Sequence, residues 1–135
     1  VGPDMESEQW VSQVAKDAGV PYIVLEKKRL GDRNVEIKVP EVSKWENHIP
    51  VLVDDIISTA KTMIVTATHL VNNGYKPAIC IGVHGIFADN SFFELLGSGV
   101  DKVITTNAIQ HASNRISVAN LIADAIISHL QPTHD

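Results

Sequence analysis

The chain has 135 residues, of which 44% are hydrophobic, and carries a formal net charge of −5. That length fits one domain, and the apolar fraction is ordinary for a globular fold with a real core. The negative charge argues against a general nucleic-acid or membrane surface, and no apolar stretch reaches the roughly 18 residues of a membrane span.

Apolar runs and helical periods alternate along the chain, and polar or glycine-containing stretches separate them. In chain order, the patterns predict a helix at 6–19, a strand at 20–26, a mobile polar loop at 26–34, strands at 34–39 and 49–55, a helix at 60–74, a strand at 76–85, a short helix at 91–99, a strand at 100–107, a helix at 118–130 and a frayed tail at 131–135. Strands that alternate with helices through short connections predict a three-layer α/β/α sandwich with a mostly parallel twisted sheet.

The single cysteine, Cys80, lies in the apolar run AICIGV. A lone thiol in such a run is typical of buried packing in a reducing compartment. We therefore expect a cytoplasmic protein. From the net charge and the lack of a long apolar stretch, we expect no nucleic-acid or membrane partner.

The stretch VLVDDIISTAKT, residues 51–62, combines features of a ligand site. An apolar strand ends in the acids Asp54 and Asp55, and small hydroxyl residues then lead into a helix. In open parallel sheets, ligands bind outside the carboxyl ends of the strands. The first N–H groups of a helix lack intrahelical partners and carry the positive end of its dipole, so they favour a phosphate. The hydroxyl groups of Ser58, Thr59 and Thr62 can donate further hydrogen bonds.

Two acids beside a phosphate site need a different partner on the same ligand. Carboxylates suit sugar hydroxyl groups or a magnesium ion, and a phosphorylated sugar meets both demands. An Asp-Asp pair alone is more typical of an acidic turn that caps a helix, but the full pattern of strand, acids, hydroxyl loop and helix favours the ligand site. The chain lacks G-x-x-x-x-G-K-[ST] and a G-x-G-x-x-G after a strand, which argues against the common nucleotide loops.

The same stretch resembles the phosphoribosyl-pyrophosphate motif of type I phosphoribosyltransferases and of ribose-phosphate diphosphokinases. The resemblance implies that Asp54 and Asp55 bind the ribose hydroxyl groups. It also implies a loop that wraps the 5-phosphate, formed by Ser58, Thr59, Ala60, Lys61 and Thr62.

Other stretches resemble the diphosphokinase branch, at ordered spacing along nearly the whole chain. VGPDMESEQW is similar to the segment that opens the second half of that family, which implies that Asp4 binds magnesium. EKKRLGDRNVEI resembles the flexible catalytic loop, which places Lys27 and Arg29 as its catalytic cations. HGIF, TTNAI and SVANLIADAI match further family signatures.

The resemblance implies an activity and a domain arrangement. The family transfers a diphosphoryl group from ATP to ribose 5-phosphate with Mg²⁺, and its members contain two similar halves. The chain matches only the second half, so we expect one phosphoribosyltransferase-like domain at 1–135 that belongs to a longer protein. We further expect a ribose 5-phosphate pocket, an incomplete ATP site, little activity of the chain alone, and an apolar inter-half face that makes it a homo-oligomer.

Several positions depart from the family pattern. Ala60 stands where the phosphate loop usually has glycine, and a Cβ there is tolerable only if φ is negative. Ser58 replaces a third aspartate found in many members. Glycines after Pro-Asp are replaced at residues 5–7, and the usual Ser-Gly after HGIF is replaced at residues 88–89.

Alternative interpretations of single residues stay open on the sequence alone. Asp4 could simply cap the helix that follows it, and residues 27–29 could be a solvated loop. His84, at the end of a predicted strand, is worth testing, whereas His111 is expected to be solvated. At the level of function, the alternatives are a phosphoribosyltransferase that uses phosphoribosyl pyrophosphate and a non-catalytic regulatory relative.

Overall fold

The computed structural model describes residues 1–32 and 34–130. Its strands are β1 (Glu26–Leu30), β2 (Asn34–Lys38), β3 (Val51–Ile57), β4 (Ile79–Gly85), β5 (Lys102–Thr106) and β6 (Asn114–Ile116). Its α-helices are α1 (Glu8–Ala18), α2 (Lys61–Asn72), α3 (Ser91–Leu96) and α4 (Ala119–Leu130), and short 3₁₀ helices cover Met5–Ser7 and Val42–Lys44.

The main sheet is parallel, with the strand order β3-β4-β5-β6. Two short segments extend it beyond β3. The amino group of Val1 donates to Val51 O at 2.6 Å, and Val53 N–H donates to Val1 O at 3.3 Å. Gly2 in turn pairs in parallel with Val24. The carboxyl ends of all these segments therefore meet at one edge of the sheet.

One face of the sheet is covered by α2 and α3. In-register residues of the three central strands, Leu52, Cys80 and Val103, form the floor of this core. Fully buried residues of the two helices, such as Leu70 and Leu95, pack above them. The alternation of side chains along a strand thus produces one continuous apolar layer, which holds β3 and α2 in fixed relation.

The opposite face is only partly covered. A Cβ at Gly2 would lie 3.5 Å from Val11 Cγ2, so α1 packs over the outermost segments of the sheet. Val53, Ile81 and Ile104, which are neighbours across β3, β4 and β5, are only partly buried. No residue of α4 is buried.

The stretch predicted as a mobile loop at 26–34 contains strand β1, which forms a β-hairpin with β2, and the predicted strand at 34–39 is confirmed as β2. β1 and β2 pair antiparallel with Glu26 opposite Lys38 and Leu30 opposite Asn34. The loop prediction was wrong because the side chains of β1 are polar, and a side-chain pattern does not report that the backbone groups of β1 pair with β2. Ile37 of β2 is buried, whereas all five residues of β1 are exposed.

Other boundaries differ from the predicted ones. β3 continues past the two acids to Ile57, so the loop before α2 is only three residues long. The predicted strand at 20–26 shrinks to a bridge at Val24, and Val20 and Tyr22 are exposed. The three-residue β6 was not predicted, and the tail at 131–135 lies outside the described residues. The α/β class with a mostly parallel sheet is confirmed.

Within the described part of the chain, no helix combines the length and the apolar character needed to cross a membrane.

Candidate functional site

The carboxyl edge of the main sheet gathers the predicted site residues. Asp4 follows the first segment, and Asp54 and Asp55 lie in the second half of the adjacent strand β3. His84 is near the end of β4, where it pairs with Ile56. Neighbouring strands are about 4.8 Å apart, so a ligand the size of a sugar phosphate can contact two or three of them at once.

A cradle opens beside the acids where β3 passes into α2. Its volume is about 150 Å³, and its lining includes Asp54 together with the whole loop from Ser58 to Thr62. The first intrahelical bond runs from Ile64 N–H to Ala60 O at 2.9 Å, and no side chain caps α2. The N–H groups of the first turn therefore precede the intrahelical ladder and can bind an anion, as predicted from the sequence.

The loop of the cradle is anchored from behind by the turn after β4. Ile86 and Phe87 both donate their N–H groups to Ile57 O at 3.0 Å. Ser58 O accepts from Ala88 N–H at 2.9 Å and from the hydroxyl of the buried Ser91 at 2.8 Å. Sequence reasoning missed this support, because the HGIF stretch by itself does not indicate which carbonyl groups its N–H groups bind.

Ala60 adopts the left-handed conformation that glycine usually supplies. Its φ is +60° and its ψ is 8°, and it is the N-cap residue of α2. The condition of a negative φ stated for a Cβ at this position is therefore not met. The loop keeps its shape and accepts backbone strain, which is of order 1–3 kcal/mol for a non-glycine residue.

The two acids are held by the backbone that follows them. A carboxyl oxygen of Asp54 accepts from Asp55 N–H at 2.9 Å, and one of Asp55 accepts from Ile56 N–H at 2.8 Å. Burial raises the pKa of Asp54 from its ordinary 3.8 to about 6, and the carboxyl groups of Asp55 and Asp4 act in the same direction. A ligand that donates hydrogen bonds, or a cation, would relieve the repulsion that these neighbouring charges exert on Asp54.

Asp4 performs the capping role that the sequence left open. Its side chain accepts from Ser7 N–H at 3.1 Å, at the start of the first 3₁₀ helix. Its charge also contributes, as the smallest cause, to the raised pKa of Asp54. In the described ranges, no three His, Cys, Asp or Glu side chains are grouped to hold a metal by themselves. The donor set fits Mg²⁺, which is often bound by one or two carboxylates together with substrate phosphates.

The hairpin rises from the same edge of the sheet, since β1 begins immediately after Leu25. Lys27 and Arg29 alternate with Lys28, so they share one face of the hairpin. Lys27 is directly opposite the buried Ile37. Because opposite residues lie on the same face, both predicted catalytic cations share the face of the hairpin that carries Ile37, and both are exposed.

His111 is packed, which contradicts the prediction that it is solvated. Its ring centroid lies 4.4 Å from that of Phe87 and 4.7 Å from that of Phe92. Its Nδ1 is 2.8 Å from Ser113 Oγ. The residue therefore stabilises the turn behind the cradle, and only contacts between distant parts of the chain reveal this.

Comparison with known families agrees with this geometry. The phosphoribosyl transferase domain family matches residues 1–118. The chain belongs to this family. This assignment agrees with the acid pair on β3 and with the anion cradle at the start of α2.

Curated relatives extend the comparison beyond the fold. The chain is 37% identical over 126 residues to ribose-phosphate pyrophosphokinase 2 of Archaeoglobus fulgidus, covering 93% of this chain and 46% of the relative. It is 35% identical over 126 residues to ribose-phosphate pyrophosphokinase of Methanopyrus kandleri, covering 93% of this chain and 43% of the relative. These matches confirm the resemblance to ribose-phosphate diphosphokinases, and the chain spans just under half the length of these relatives, in their C-terminal part.

A solved structure confirms the fold. Phosphoribosylpyrophosphate synthetase from Mycobacterium smegmatis superposes with a TM-score of 0.71 at 24% identity, covering 95% of this chain and 43% of that one.

The strain at Ala60 gives a first testable prediction for this phosphoribosyl transferase domain. Ala60→Gly should change the free energy of unfolding by less than about 1 kcal/mol, because relief of strain offsets the lost methyl burial and the greater freedom of the unfolded chain. Ala60→Val should lower it by at least about 2 kcal/mol, because a β-branched residue at positive φ is a severe outlier. Urea unfolding measures both, and a well-tolerated valine would contradict the left-handed loop.

The raised pKa of Asp54 gives a second testable prediction. A carboxyl group whose folded pKa lies above its unfolded value stabilises the fold at low pH and loses that contribution as the pH rises through about 6. Asp54 is only half-buried, so solvent screening reduces the effect to roughly 1 kcal/mol. Asp54→Asn should therefore be more stable than the unmodified domain at pH 7, and the advantage should shrink towards pH 4. Urea midpoints at pH 4, 5.5 and 7 measure the stability of Asp54→Asn relative to the unmodified domain. Asp101→Asn, at an exposed position, is the control. A stability difference for Asp54→Asn that does not change with pH would count against the burial effect.

Proposed function

We propose that the chain supplies the ribose 5-phosphate site of a ribose-phosphate diphosphokinase. The observation that carries the proposal is the juxtaposition of the cradle at the start of α2 with the acid pair of β3 on one edge of the sheet. A phosphate and a hydroxyl-bearing sugar on one ligand satisfy both parts together. The similarity to ribose-phosphate pyrophosphokinases supports the same choice.

The sugar and its phosphate would bind through different groups of the chain. The N–H groups of the first turn of α2, and the hydroxyl groups of Ser58, Thr59 and Thr62, would donate to the 5-phosphate. Asp54 and Asp55 would accept hydrogen bonds from the ribose hydroxyl groups. Such bonds to ionised acceptors are strong, and with a pKa of about 6 Asp54 is ionised at pH 7.

The proposed reaction joins the sugar to a diphosphoryl group. The anomeric oxygen forms a bond to the β-phosphorus of ATP and loses its proton, while the bond from that phosphorus to the oxygen shared with the α-phosphorus breaks and AMP leaves. The work of the protein is to position the reactants and to stabilise the negative charge. Lys27 would act as a point charge and Arg29 as a planar fork for phosphate oxygens.

The proposal includes Mg²⁺ because Asp4 could bind it. When bound, it would supply positive charge that offsets the negative charge of the diphosphate. Asp4 would be its protein ligand, and the neighbouring acids of β3 would add negative charge to the site.

The remaining parts of the proposal concern the protein in its cell. An ATP site completed by further polypeptide is consistent with relatives that are about twice as long as this chain. The buried Cys80 supports a reducing, cytoplasmic setting. The net charge of −5 supports the expectation that no nucleic acid is a partner.

Calorimetry with ribose 5-phosphate tests the sugar site. Asp55→Asn should weaken binding roughly 10- to 100-fold, because a hydrogen bond to a charged group contributes about 1.5–3 kcal/mol. Asp101→Asn is the matched control, since Asp101 precedes β5 at the opposite edge of the sheet. An Asp55→Asn variant that binds as tightly as the control would refute the assigned role.

Lys27→Ala tests the hairpin. In this chain the variant should bind ribose 5-phosphate within about 2-fold of the unmodified form, and in the longer parent protein it should form AMP from ATP at least about 100-fold more slowly, since a positioned charge in the transition state is lost. Lys28→Ala, on the opposite face of the hairpin from Lys27, is the control and should retain the rate of the parent protein. Equal rates for the two variants would show that Lys27 is not catalytic.

The same titrations separate the alternative functions. A phosphoribosyltransferase would bind phosphoribosyl pyrophosphate and convert a nucleobase, whereas a non-catalytic relative would bind none of these ligands. Saturable binding of ribose 5-phosphate without nucleobase conversion is the result that the proposal requires.

A further inference from the structure

The loop between β3 and α2 contains two peptide groups whose carbonyl oxygens each accept two hydrogen bonds. Ile57 O accepts from two N–H groups of the turn after β4, both at 3.0 Å. Ser58 O accepts from Ala88 N–H at 2.9 Å and from the hydroxyl of Ser91 at 2.8 Å. The cradle is lined by residues of β3, of the loop and of α2. The turn after β4 therefore supports the loop from the side away from the cradle.

These bonds fix the direction of two backbone N–H groups. In a planar trans peptide, the C=O and N–H bonds point in opposite directions. Ile57 O and Ser58 O point into the turn, so the N–H groups of Ser58 and Thr59, which belong to the same two peptides, point to the side where the cradle opens. Neither N–H group has a hydrogen-bond partner within residues 1–32 and 34–130. Both can therefore donate to a ligand in the cradle.

The two N–H groups extend the row of donors at the start of α2. Ala60, which follows Thr59, is in the left-handed conformation, and successive N–H groups around such a residue form a concave anion site. The N–H groups of the first turn of α2 continue the row. A hydrogen bond accepted by a carbonyl also polarises its peptide, which strengthens the N–H of the same group as a donor. The bonds to Ile57 O and Ser58 O thus both direct and strengthen donors of the cradle.

Ser91 supplies the side-chain part of this support. Of the four hydrogen bonds, the other three come from backbone N–H groups. Ser91 is only 3% exposed, and its hydroxyl joins the start of α3 to a carbonyl 33 residues earlier in the chain. Without this hydroxyl, Ser58 O would keep a single donor, and the peptide that it shares with Thr59 could rotate about that one bond.

We propose that Ser91 is a positioning residue of the anion site. Its hydroxyl holds the peptide between Ser58 and Thr59 so that Thr59 N–H is directed at the phosphate of the ligand, while Ser91 itself makes no contact with that ligand. The inference rests on the proposed function in taking the cradle as the phosphate end of the site. It concerns that end alone, because the sugar end belongs to the acids of β3.

Ser91→Ala tests this role with inorganic phosphate and ribose 5-phosphate as separate probes, each titrated against backbone amide NMR signals. The affinities for both probes should fall by the same factor, about 3- to 10-fold, because one neutral hydrogen bond behind the shared phosphate site is lost. Asp55→Asn should weaken the binding of ribose 5-phosphate alone. Ser98→Ala is the matched control, since its hydroxyl donates to Leu95 O at 2.6 Å at the other end of α3. This control should bind both probes within about 2-fold of the unmodified chain.

The NMR signals of the ligand-free chain provide a readout that a general loss of stability would not produce. The carbonyl carbon of Ser58 and the amide of Thr59 should shift in Ser91→Ala and stay in place in Ser98→Ala. If Ser91→Ala does not fold, Ser91→Cys replaces it, because a thiol is a weaker donor of similar shape and should change both readouts in the same direction.

The outcomes separate this inference from the proposed function. Unchanged phosphate affinity in the Ser91 variant, or unmoved signals of Ser58 and Thr59, would overturn the positioning role. Phosphate binding that depends on Ser91, without any binding of ribose 5-phosphate, would support the positioning role and refute the proposed function. An unmodified chain that binds neither probe would overturn both.

Discussion

Two carbonyl groups hold the candidate site in place. Ile57 O and Ser58 O receive four hydrogen bonds from the turn after β4, contributed by three N–H groups and the hydroxyl of Ser91. These bonds join the loop before α2 to a neighbouring strand rather than to its own flanks. A Cβ at Gly82 would lie 2.6 Å from Ile57 Cδ1, so glycine there lets the end of β3 pack closely on β4. The shape of the cradle therefore depends on a turn that does not line it.

Unfavourable local energies are concentrated around this anchored loop. Ala60 has a positive φ, and Asp54 is half-buried beside two other carboxyl groups. Phe87 and Asp89 in the supporting turn also have positive φ values. Strained backbone and repelling charges persist only where the surrounding structure fixes them, and they are common at sites that bind ligands. Hydroxyl groups or a cation placed beside the acids would relieve part of this repulsion.

Consecutive residues made part of this architecture predictable. The acid pair, the hydroxyl loop and the first turn of α2 follow one another in the chain, so the sequence predicted that they lie close together at one edge of the sheet. The supporting turn, the hairpin partner of β1 and the packing of His111 between Phe87 and Phe92 were not predicted. Each depends on residues that are distant in sequence or on backbone groups that side-chain patterns do not report. The polar residues of β1 look like a loop because both faces of an exposed hairpin lie near solvent.

The attachment of the hairpin has a consequence for motion. β1 and β2 form a sheet of their own, separate from the parallel sheet of β3 to β6, and all five residues of β1 are exposed. A strand pair whose backbone hydrogen bonds lie near solvent can open locally at lower free energy than a buried parallel sheet. Its amide protons should therefore exchange with solvent through local opening, independently of global unfolding.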